Sequence, residues 1–75
     1  LKHYNRVVKN IYINENDVIN LQDIQKELSF EINSTEEKLV IRQSIWDPVL
    51  RVYYDYMHGN RFIEIEKSIH KLLSK

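Results

Sequence analysis

The chain has no cysteine, one glycine, one proline and no excess of either charge. Lacking cysteine, it can build neither a disulfide framework nor a thiolate zinc site. No apolar run approaches the roughly 18 residues that a bilayer-spanning helix needs, and no signal-peptide pattern opens the chain. The expected setting is therefore cytoplasmic or nuclear, with no membrane partner. Eleven basic residues balance eleven acidic ones. Nucleic-acid modules draw affinity from a basic excess that neutralises phosphates, so the balance disfavours a nucleic-acid partner. Neither a nucleophile motif nor a phosphate-binding glycine loop occurs.

What is present is a 75-residue chain with 43% hydrophobic residues, which speaks for a folded domain and against disorder. A chain this short buries only about 60% of its unfolded surface, so its core is small. It opens at Leu1 in mid-pattern, as a fragment of a longer protein would.

Leu1, Tyr4, Val8 and Ile11 recur at helical spacing and favour a helix over residues 1 to 12, although "NIYIN" alone could pass for a strand. "NEND" at 14 to 17 breaks the pattern, and Val18-Ile19 reads as a short strand. Asn20 is suited to cap a helix opening at Leu21, with Leu21, Ile24 and Leu28 on one face and Asp23 in the first turn. "SFEIN" is then a turn. Ser34-Thr35-Glu36-Glu37 has capping-box form and predicts a helix from Ser34 to about Trp46, ended by Asp47-Pro48. Its apolar residues Leu39, Val40, Ile41, Ile45 and Trp46 form no narrow stripe, which implies cover on two sides. In "VLRVYY", Leu50, Val52 and Tyr54 alternate with Val49, Arg51 and Tyr53, and the charge-free set should face the core. "RFIEI" reads as a second strand, joined through the loop "DYMHGN" whose Gly59 suits a positive φ. Ile65, Ile69, Leu72 and Leu73 then mark an amphipathic terminal helix in need of a partner.

The predicted order is helix, short strand, helix, helix, strand, wing, strand, helix. This is a winged helix, an α+β fold, over residues 1–65, followed by a C-terminal amphipathic helix over 66–75.

Five stretches carry a family resemblance: "INLQDIQKEL" at 19–28, "STEEKLV" at 34–40, "SIWDPVL" at 44–50, "YYD" at 53–55 and "HGNRFIEI" at 58–65. In kind and order they resemble the winged-helix half of the PCI domain found in proteasome-lid, COP-nine signalosome and translation-initiation-factor-three subunits. Pro48 stands where that family often has glycine. The resemblance implies a scaffold without catalytic activity, joining PCI-containing subunits of one large complex through winged-helix edges and the terminal helix. The alternative is a winged helix that binds RNA or DNA, as in PCI proteins of messenger-RNA export.

The candidate protein-interface residues are Arg51, Tyr53 and Tyr56 around the wing and Ile69, Leu72 and Leu73 on the terminal helix. Tyrosines beside Trp46 also suit stacking on single-stranded RNA, but balanced charge turns the preference toward a protein. Glu36 and Glu37 in the would-be recognition helix would repel phosphate. His3, His58 and His70 are scattered without carboxylate or thiolate at ligand spacing, so no metal or cofactor is expected. An acid–base pair could be imagined among Asp47, Asp55, Glu64 and Glu66, but each has a plainer structural place.

Overall fold

The computed structural model describes residues 3–14 and 19–74 and places the first segment in a strand. In chain order the elements are β1 (Asn5–Tyr12), α1 (Leu21–Ser29), β2 (Glu37–Gln43), β3 (Val49–Tyr56) and α2 (Phe62–Leu73). The strands form one antiparallel sheet in the order β1-β3-β2. The helices pack on one side of it, and the core is built from Ile24 and Leu28 of α1, Phe62, Ile65 and Ile69 of α2, and the inward strand residues. The winged helix is therefore corrected: the fold is α+β, but it is β-α-β-β-α with three strands and two helices.

Two predicted helices are strands, for one shared reason. Val7 and Ile11 in β1, and Leu39 and Ile41 in β2, face the helices, while Arg6, Val8 and Asn10, and Lys38, Val40 and Arg42, face away. The i, i+4 spacing of a helix is also twice the period of a strand, so Val7 and Ile11 satisfy both patterns. β-branched residues suit the pleat, and both segments find a partner in β3. Leu1 and Val18 lie outside the described residues, and Ile19 is half-buried without strand geometry.

The capping box does not form. Asn33 organises the turn before β2: its side-chain oxygen accepts from the Thr35 amide at 3.1 Å and its carbonyl from the Glu37 amide at 2.7 Å. Asp47-Pro48 sits in the β2–β3 connection, where the Val49 amide donates back to the Asp47 carbonyl at 2.7 Å. "DYMHGN" is not a wing, since "RFIEI" opens α2 and the Asn60 side chain accepts from the Phe62 amide at 2.9 Å. Gly59 has no positive φ. The position after Ile65 falls inside α2.

Other expectations match the structure. Asn20 caps α1, its side chain accepting from the Asp23 amide at 3.1 Å, and Ile24 and Leu28 are buried. In β3 the phase is as expected, with Leu50, Val52 and Tyr54 at 0% exposure and Arg51 outside.

Two polar devices lock the layers together. The Gln25 side chain donates to the Leu39 carbonyl at 2.9 Å and accepts from the Ile41 amide at 3.0 Å. It acts as a short substitute strand on the outer edge of β2. Glu37, 6% exposed, accepts from the Tyr54 hydroxyl at 2.7 Å and from the Arg61 guanidinium at 2.6 and 2.7 Å. Arg61 also donates to the Glu31 carbonyl at 2.6 Å, so one carboxylate ties the α1–β2 turn, β3 and the start of α2 together.

Candidate interaction face

Among the described residues, one face of the sheet is filled by the helices and the other is an open surface built by all three strands. Cross-strand register arranges it in rows. Arg6, Asp55 and Lys38 lie in the first, Val8, Tyr53 and Val40 in the second, Asn10, Arg51 and Arg42 in the third, and Tyr12 beside Val49 in the fourth. Val8 and Val40 are 51% and 44% exposed. An apolar row thus lies open to water between two rows that carry cations.

The cations are held unequally. Arg6 makes a paired contact to Asp55 at 2.8 and 3.1 Å and lies 5.5 Å from the Tyr53 ring centre. Those hydrogen bonds hold the Asp55 carboxyl below its ordinary carboxylate range. Lys38 sits 4.7 Å from the Tyr4 ring centre, and the Tyr4 hydroxyl donates to the Thr35 carbonyl. Among the described residues the Arg51 side chain donates only to the neutral Asn10 side chain, at 3.1 Å. Arg42 has no ion-pair or hydrogen-bond partner among the described residues. It stands directly opposite Arg51, a like-charge cross-strand pair that costs stability.

Two shallow clefts mark this face. One, of about 280 Å³, is lined by Arg6, Lys38, Val40, Arg42, Tyr53 and Asp55. The other, of about 240 Å³, lies at the end of the sheet between Asn10, Tyr12, Ser44, Asp47, Pro48 and Arg51. Beyond it the β2–β3 connection exposes Ile45 and Trp46, the latter at 87%.

The sheet edges also differ. The Ile13 amide bonds the Pro48 carbonyl at 2.8 Å, which turns the odd-numbered amides of β1 toward β3. The amides of Arg6, Val8, Asn10 and Tyr12 therefore point outward, and among the described residues nothing covers them. On β2, Gln25 occupies that position.

The structure separates the six residues expected at an interface. Arg51 and Tyr53 share the open face, but Tyr56 lies on the helix side, stacked on Tyr54 at 5.6 Å. Ile69 is buried at 0% exposure, and Leu72 and Leu73 are half-buried against the same core. Sequence reading missed Arg6, Lys38 and Arg42 as members of this surface. Neither "NRVVKNIY" nor "KLVIR" alternates in polarity, so these residues join the face only through the strand register.

Among the described residues no carboxylates converge for acid–base work. Asp55 is tied to Arg6, Glu66 to Lys9 and Glu64 to Arg61, while Asp47 lies in the β2–β3 connection. Glu37 is held at about 2 by the Arg61 hydrogen bonds, aided by Tyr54, and so stays ionised at neutral pH. His3, His58 and His70 are exposed at separate places, and among the described residues no three His, Asp or Glu side chains cluster to hold a metal. Among those residues no helix is long and apolar enough to cross a membrane. Comparison with protein-family models, with curated proteins and with solved structures finds no match.

Proposed function

We propose that this chain is a binding module without catalytic activity, acting in the cytoplasm or nucleus, whose working surface is the open sheet face and whose partner is anionic. The observation that carries the reading is the pair Arg42 and Arg51, opposed across β2 and β3 and, among the described residues, in no ion pair with an acid. A bound anion relieves that repulsion. The zero net charge averages over the whole surface and conceals a face where Arg6, Lys38, Arg42 and Arg51 stand against Asp55. The test is retention on a sulfated-polysaccharide resin. Arg42→Gln with Arg51→Gln should elute at clearly lower salt than a control pair, Lys67→Gln with Lys71→Gln on α2. Equal elution of the two pairs counts against the open face as the working surface.

A second reading, subunit assembly in a multiprotein complex, is favoured by the uncovered edge of β1, onto which a partner strand can add. Val8→Pro removes an outward amide where an edge strand tolerates proline. It should abolish co-purification with a neighbouring subunit and leave resin retention intact. Loss of neither, or of both, speaks against this second reading.

A further inference from the structure

We infer that the anionic partner is a single-stranded nucleic acid lying along the strands, its bases on Tyr53 and Tyr12 and its phosphates on Lys38, Arg42 and Arg51. The inference rests on the binding-module reading above and goes further, because cations alone fit any polyanion. What narrows the choice is the order of rows: a charged row, a row centred on Tyr53, a charged row, then Tyr12. Successive rows are two residues apart, about 7 Å along the strands, so Tyr53 and Tyr12 stand about 14 Å apart with Arg42 and Arg51 between them. Rings interleaved with cations match a chain that alternates flat bases with phosphates. The two clefts coincide with the two rings, since one is lined by Tyr53 and the other by Tyr12.

Other polyanions leave this surface half used. An acidic peptide or a sulfated sugar engages the cations but offers no bases to the rings. A duplex keeps its bases stacked inside and presents only backbone. Tyr12 is 78% exposed, and Trp46 at 87% adds a further ring beyond it at the same end of the sheet. The Arg6 guanidinium already lies over Tyr53, so a base takes that place or stacks upon it while Arg6 keeps Asp55. Asp47 lines the end cleft, which disfavours a phosphate there and offers an acceptor to base amino groups.

The experiment titrates the 75-residue chain against labelled octauridine, a duplex of the same length and polyglutamate, by fluorescence anisotropy at several salt concentrations. Octauridine should bind at least tenfold tighter than either of the others. Arg42→Gln with Arg51→Gln should reduce the slope of log affinity against log salt by about 1.4, at about 0.7 per phosphate contact for a single strand. Tyr12→Ala, an exposed change verified as folded by circular dichroism, should weaken octauridine about 5- to 150-fold and leave polyglutamate unchanged. If polyglutamate binds as tightly and Tyr12→Ala changes nothing, the surface reads charge alone: the nucleic-acid inference falls and the binding module stands. Tighter binding of the duplex also overturns the inference. If none of the three binds, both readings fall.

Discussion

Glu37 shows how much one side chain does in a core this small. Its carboxylate accepts from Arg61, Tyr54 and the Asn33 amide, and it is nearly sealed from water. Its folded value of about 2 lies below its ordinary 4.5. The ionised form is therefore favoured by folding, and the stability it contributes is fully present above about pH 5 and lost as pH falls toward 2. The urea midpoint should drop steeply over that window, and Glu37→Gln should flatten the drop. At pH 7 the same substitution should cost about 2–3 kcal/mol, less than a fully buried pair because more than a third of the Arg61 side chain meets solvent. Val52→Asp places an unpaired charge at 0% exposure and should prevent folding, seen as loss of the far-ultraviolet dichroism. Gly59 behaves oppositely. With no positive φ and no atom within 4 Å of an added Cβ, Gly59→Ala should leave the urea midpoint unchanged or raise stability by up to about 1 kcal/mol.

Among the elements, α1 and β3 were legible in the sequence because local signals and tertiary demand agree. Asn20 caps α1 as its side chain allows, and β3 alternates cleanly under Leu50, Val52 and Tyr54. β1 and β2 were not, because their helical reading is locally sound and only pairing with β3 overrides it. "STEE" has the letters of a capping box, but Glu37 is drawn into the core by Arg61, 24 residues away. "RFIEI" alternates like a strand and still becomes helix, because Phe62, Ile65 and Ile69 together cover the sheet. Of the candidate face, Arg51 and Tyr53 could be read from β3 alone, whereas Arg6, Lys38 and Arg42 join it only through register. Gln25 left no sequence signal, since an amide facing a strand edge looks like any polar helix residue. Gln25→Ala should cost about 1–2 kcal/mol. It should also make exchange of the Ile41 amide markedly faster than in the parent chain, measurable by hydrogen exchange.

At the scale of the molecule, the sheet is assembled from distant parts of the chain: Arg6 and Asp55 pair across 49 positions. Such long-range pairing slows folding relative to helical domains of similar size. The single tryptophan cannot report the event. Trp46 is already 87% exposed, so its emission maximum should stay nearly constant through a urea titration in which circular dichroism shows a full transition. The central place of β3 has a consequence of its own. Because β1 touches the sheet through β3 alone, the protein is a natural two-piece kit. A synthetic peptide of residues 3–14 mixed with the chain from residue 19 onward should rebuild the native sheet in trans. Calorimetry should show one-to-one uptake, and a peptide carrying Ile11→Asp should fail to dock. Labels placed on the two pieces would then turn the join between β1 and β3 into a proximity switch.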